Sequence, residues 1–304
     1  MSERFECSVA STARAEPVFA TASQVRAWLL VEVHGSWGRD AVRDSELGPH
    51  APAVWRRAMA ARGVRVVAIR RDLDRSSLHS TPGVRLVHVV AGRPGTTVAR
   101  SHRAVVDDLH HVVAATESIA SGQGPGDGWE VDEDPYALVC TNGRHDACCA
   151  TYGRPLVRHL RESRWSDAVW ECSHIGGDRF DGNLLVLPES LYFGRCDGAD
   201  GERILAALDE GRLDLANLRG RSALSLVEQA AEHFVRTELG LDELDAVVAL
   251  RSGADERVEL DLADGTALVV VIERVRRPSP TPLTCKGADG LAYPAFRLAA
   301  LQRT

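Results

Sequence analysis

Short runs dense in valine and leucine recur along this chain, with helical patterns between most of them. In the first half, "RAWLLVEV" (26–33), "VRVVAIR" (64–70) and "VRLVHVV" (84–90) are strand-length and β-branched. "AVWRRAMAARG" (53–63), closed by Gly63, and "AVVDDLHHVVAATESIA" (104–120) have helical patterning. In the second half, "YALVC" (136–140), "AVWEC" (168–172), "NLLVL" (183–187) and "LYFG" (191–194) are strands, the last two joined as a hairpin by "PES". Helices are expected over 151–163, where Tyr152, Leu156, Val157 and Leu160 share a stripe, and over 202–211, which ends on a glycine. Strands alternating with helices predict an α/β fold with a mainly parallel sheet. The order strand, helix, strand, hairpin, helix is that of a thioredoxin-like lobe. An added amphipathic helix (222–239) and a β-hairpin turning at Ala263-Asp264-Gly265-Thr266 are expected at the C-terminal end.

The 304 residues suffice for two domains. "ASGQGPGDG" (120–128) has linker composition, which divides the chain into an N-terminal α/β lobe (1–125) and a second lobe with its extension (129–304). A formal charge of −7 argues against nucleic acid as a partner. No signal-peptide pattern is visible and no apolar run reaches the length of a membrane span, so a cytoplasmic location without membrane insertion is expected. Thiols then stay reduced, and clustered cysteines read as metal-binding or reactive. An odd total of seven also fits complete disulfide pairing poorly.

Two stretches concentrate the soft ligands. "CTNGRHDACC" (140–149) and "CSHIGGDRFDGN" (172–183) hold Cys140, Cys148, Cys149 and Cys172 together with His174. Each follows a strand of the same expected sheet, so both can reach one end of it. Cys149 falls at the start of a helix, where the free N–H groups favour a thiolate. Strand alternation puts Trp170, Cys172 and His174 on one face. Gly176-Gly177 then permits a sharp turn or a close approach, and Asp178 lies four residues beyond His174.

These stretches, with "WLLVEVHGSWGRDA" (28–41), resemble the sucrase/ferredoxin-like family of thioredoxin-like ferredoxins. The resemblance implies a [2Fe–2S] cluster in the second lobe, held by a C-x8-C pair and a later pair often written HxGGH. Cys140 and Cys149 match the first pair and His174 the first histidine, while Asp178 stands where the second histidine is usual. Ligand softness favours Cys172 as the fourth ligand, and motif position favours Asp178; both remain candidates. The "HGSWG" loop (34–38) carries no cysteine and reads as the inactive counterpart in the first lobe, with Trp37 packing or shielding the cluster.

The expected role is electron transfer between a reductase donor and an unidentified acceptor protein. Alternatives are direct reduction of a small molecule such as a ferric chelate, or a structural zinc site of Cys140, Cys149, Cys172 and His174. A thiol–disulfide enzyme using Cys148 and Cys149 is disfavoured by the missing CxxC. No pair of carboxylates is marked out for glycoside hydrolysis, so the sugar half of the family name gives no guide. Cys148 reads as a buried packing residue or a spare ligand and Cys196 as a core or loop residue, and Cys7 and Cys285 carry no assigned role. Arg144 and Arg179 flank the site as solvated charges or electron-stabilising cations. His145 is a surface residue or proton carrier, and His110-His111 a surface or half-buried pair.

Overall fold

The computed structural model describes residues 5–50, 57, 60–71, 84–95, 101–106, 110–121 and 126–304. Their elements are α1 (Cys7–Ala13), β1 (Ala27–Glu32), β2 (Val64–Arg70), β3 (Val84–Val90), β4 (Ser101–Val106), α2 (His110–Ala120), β5 (Glu130–Asp132) and β6 (Tyr136–Cys140). There follow α3 (Ala147–Arg161), β7 (Val169–Cys172), β8 (Leu184–Leu187), β9 (Leu191–Phe193), α4 (Gly198–Asp209) and β10 (Leu218–Arg221). The last five are α5 (Leu226–Leu239), β11 (Val247–Ser252), β12 (Arg257–Leu262), β13 (Ala267–Pro278) and β14 (Ala292–Arg303).

Ten strands form one mixed sheet in the order β10-β9-β8-β6-β7-β2-β1-β3-β4-β5. The expectation of a mainly parallel sheet is corrected: only β1·β2 and β6·β7 run parallel, and the other pairs are antiparallel. A parallel pair needs a long crossover, whereas the hairpin β8–β9 spends only three residues on its turn. The pairing pattern occurs twice. β2-β1-β3-β4 and β7-β6-β8-β9 each comprise a parallel pair followed by two antiparallel additions, and they meet where β2 pairs β7 with Ile69 opposite Cys172. Helices cover the sheet beside β6, whose five residues are all buried. Ala137 and Val139 pack on Leu156, Val157 and Leu160 of α3, while Leu138 and Cys140 face a second core with Trp170 and Cys172.

Two further expectations change. The helix expected over 104–120 is a strand to Val106 and a helix from His110, because antiparallel pairing of β4 with β3 (His88 opposite His102) overrides the apolar helical pattern. Most of the helix expected over 53–63, and residues 122–125 of the glycine-rich stretch, lie outside the described residues. The C-terminal hairpin is the inner pair of a four-stranded antiparallel sheet, β11-β12-β13-β14. Across this sheet lies α5, with Val227, Ala231 and Val235 against Val258, Leu260 and Val270. Its start is fixed by a reciprocal cap between Ser225 and Glu228. Glu232, 2% exposed, joins α5 to β10 through Arg221 (3.2 Å) and lies 3.0 Å from Arg236. Among the described residues no helix is long and apolar enough to cross a membrane.

Candidate metal centre

β6 and β7 end side by side, with Cys140 opposite Cys172 in parallel register, so the loops that leave them share one edge of the sheet. In the first loop Asp146 caps α3, its carboxylate accepting from the Cys148 N–H at 3.0 Å. Helix α3 therefore starts at Ala147, four residues before the expected start, and its first turn carries Cys149 into the site. A Cβ on Gly153 would stand 2.0 Å from the Cys140 carbonyl oxygen, so this bare position lets α3 rest against the end of β6. In the second loop Gly176 and Gly177 adopt φ of +98° and +85°, which turns the chain back towards the first. Buried Arg219 clamps that turn, donating to the Gly176 carbonyl (3.0 Å), Asn183 Oδ1 (2.6 Å) and the Thr21 carbonyl (2.6 Å). Asn183 in turn donates to the Gly177 carbonyl at 2.9 Å.

The turns bring together Cys140, Cys149 and His174, whose ligand atoms all lie within 4.8 Å of one another. Asp178 joins them, with Oδ1 3.0 Å from His174 Nδ1 and 3.9 Å from Cys149 Sγ. Cys172 is fully buried in the apolar core beneath and belongs to none of the ligand groups found among the described residues. Burial pushes its thiol well up.

Protons are tightly shared here. A hydrogen bond from Cys149, supported by His174, holds Cys140 well below the ordinary thiol range and drives Cys149 up. Burial opposes charge on His174, but hydrogen bonds to Asp178 and Cys140 win and raise it to about 9. Burial opposes charge on Asp178 too, yet its contact with His174 holds it below the usual carboxylate range. At neutral pH the site is thus rich in ligand anions, and a metal has to displace the His174 proton. Two sulfurs, an imidazole and a carboxylate suit iron or zinc. Asn142 Nδ2 is buried in the same loop without an acceptor among the described residues, a free donor where a cluster's sulfide would offer an acceptor.

His145 stacks on His174, and its Nδ1 lies 3.2 Å from the Arg39 carbonyl oxygen. The loop after β1 therefore meets the ligand loops, across a cleft of about 320 Å³ lined by Arg39, Arg43, Arg65, Asn142, His145 and His174. Trp37 itself packs in the core on the other side of β1, with Arg70 4.0 Å over its ring. Arg179 is committed to Glu16 at 2.6 Å, which removes it as a free cation, while Arg144 is exposed. Cys196 is a packing residue, as expected. Cys148 is buried, but its sulfur meets Cys7 and Cys285 rather than aliphatic neighbours. Asp146, Asn142, Asn183 and Arg219 were not identifiable as site supports. The aspartate immediately before a helical run was the one available signal, while Arg219 acts through partners far along the chain.

A mixed sheet bearing a Cys, His and Asp cluster at the end of a parallel strand pair defines an α/β metal- or cofactor-binding protein. The sucrase/ferredoxin-like family matches residues 18–220, and the chain belongs to it. Altered inheritance of mitochondria protein 32 of Candida glabrata is 26% identical over 109 residues, covering 31% of this chain and 35% of that protein. The match thus spans about a third of the relative's length. No solved structure matches significantly.

Proposed function

We propose that the chain is an electron-transfer protein built on two thioredoxin-like lobes, the second holding a [2Fe–2S] cluster through Cys140, Cys149, His174 and Asp178. The observation that carries this reading is the convergence of those four side chains from loops at the ends of β6 and β7, in a member of the sucrase/ferredoxin-like family. The repeated strand-pairing pattern supports the two-lobe description. A bound cluster supplies one-electron transfer. Cys140 and Cys149 bring soft negative charge, whereas His174 brings a neutral donor once its proton has left. Two-histidine clusters lie at roughly −150 to +300 mV and plant-type ones near about −400 mV, so one histidine places the potential between them. A reductase and an acceptor protein complete the cycle, in a reducing compartment such as the cytoplasm.

The arginine-lined cleft beside His174 favours a second reading, direct reduction of a small anionic compound such as a ferric chelate. Anaerobic purification followed by iron and sulfide analysis, visible absorption and electron paramagnetic resonance tests the cluster. Red-brown protein with near-equal iron and sulfide, bleached by Cys140→Ser and Cys149→Ser, is the expected result. A colourless, iron-poor preparation overturns it. Rapid oxidation of the reduced cluster by one chelate, but not by generic oxidants, selects the second reading.

A further inference from the structure

Three of the five cysteines outside the proposed cluster meet one another. Cys7 opens α1, Cys148 lies in the first turn of α3, and Cys285 belongs to the β13–β14 connection. Their sulfurs form a triangle with Cys7–Cys148 at 3.8 Å, Cys148–Cys285 at 3.4 Å and Cys285–Cys7 at 3.5 Å. Three thiolates about 2.3 Å from one tetrahedral ion stand about 3.8 Å apart, close to these edges. A disulfide framework does not suit them, since all three are free and a trio leaves one unpaired. Asp146 sets the triangle by accepting from the Cys148 N–H at 3.0 Å and the Cys285 N–H at 2.8 Å, and its oxygens lie 3.9 and 4.0 Å from Cys7 Sγ.

From this geometry we infer that Cys7, Cys148 and Cys285 form a second metal site, a zinc clasp whose fourth position faces the Asp146 carboxylate. Zinc fits because three soft thiolates and a tetrahedral edge suit a d10 ion without redox demand. The clasp joins residues 141 and 278 apart in sequence, so one ion ties the N-terminal helix and the β13–β14 connection onto the first ligand loop. Closing such long loops restricts the unfolded chain strongly. Cys148 and Cys149 are neighbours facing different ligand sets, so the clasp braces the helix start that also delivers Cys149.

The test is zinc and iron analysis of the full chain, purified without chelator from zinc-supplemented cells. About one zinc per chain is expected, lost in Cys7→Ser and Cys285→Ser while iron and colour persist. Zinc retained in both variants, or lost only in Cys140→Ser, puts the ion elsewhere and overturns the clasp, as does wild-type protein devoid of zinc. Should either variant misfold, alkylation of the wild type decides. Half-exposed Cys285 is expected to react several-fold faster after zinc chelation, and an unchanged rate overturns the proposal.

Discussion

The imidazole rings of His145 and His174 lie face to face, centroids 3.7 Å apart and 10° from parallel. His174 is held protonated by Asp178 and Cys140, and His145 is pushed down by burial and by that neighbouring charge. His145 thus covers the ligand ring as a neutral plate. His145→Ala is expected to leave the metal ligands in place but to speed loss of visible absorbance in air or mild acid on the order of tenfold, a usual size for a supporting residue of a metal site. His145→Phe keeps the plate and is expected to bleach at nearly the wild-type rate. Equal rates in His145→Ala and wild type would remove the shielding role.

Asp178 and Cys172 make opposite predictions. Asp178 is within hydrogen-bond distance of His174, while Cys172 lies in the apolar core. Asp178→Ala is expected to lose most of the iron and colour, whereas Cys172→Ala keeps both. Asp178→His replaces an anionic donor by a neutral one, so the reduced state is favoured and the midpoint should rise by on the order of 100 mV. Electron paramagnetic resonance and a redox titration read both outcomes. A colourless Cys172→Ala beside a coloured Asp178→Ala would reverse the ligand assignment.

Gly153 tests how closely α3 must approach β6. Alanine in a helix interior normally gains about 0.5–1 kcal/mol over glycine. Here the new methyl would meet the backbone carbonyl oxygen of Cys140 at 2.0 Å, and the helix has to withdraw. Such overpacking costs about 1–3 kcal/mol, so the net sign is destabilising. Gly153→Ala is expected to lower the urea midpoint and reduce iron loading, since the shift moves Cys149 away from Cys140. A stabilised, fully loaded variant would show that the contact is soft.

What could be read in the sequence was whatever rests on local pattern. Strands 64–70, 84–90 and 136–140 agree with the observed bounds because their valine-rich runs are buried in the sheet. Cys140, Cys149, His174 and Asp178 were visible because two short motifs follow adjacent parallel strands. The antiparallel join of β2 to β7 was hidden because its partners lie far apart along the chain, and β4 because its apolar spacing also fits a helix. That Cys172 lies in the apolar core was hidden for a related reason. Adjacency to His174 in sequence says nothing of the apolar shell that the sheet builds around that sulfur. Cys7 and Cys285 were illegible as partners of Cys148, since only the folded termini bring them together.

His88 gives the pH dependence its sign. It lies on β3, 5% exposed, with neither ring nitrogen hydrogen-bonded among the described residues. Burial, with the nearby His102 adding to it, lowers its pKa to about 4. The folded protein therefore refuses a proton that the unfolded chain accepts once pH falls below about 6.5. The stability this confers is complete above pH 6.5 and is lost as pH falls to about 4, a difference of about 3 kcal/mol for this one residue. Buried His233, also lowered to about 4, adds a loss of the same sign, so the His88 share has to be read as a difference. Urea unfolding of wild type and His88→Phe across pH 7.5 to 4.5 makes that comparison. The wild type is expected to lose stability more steeply, and parallel profiles would mean that the ring is protonated without cost.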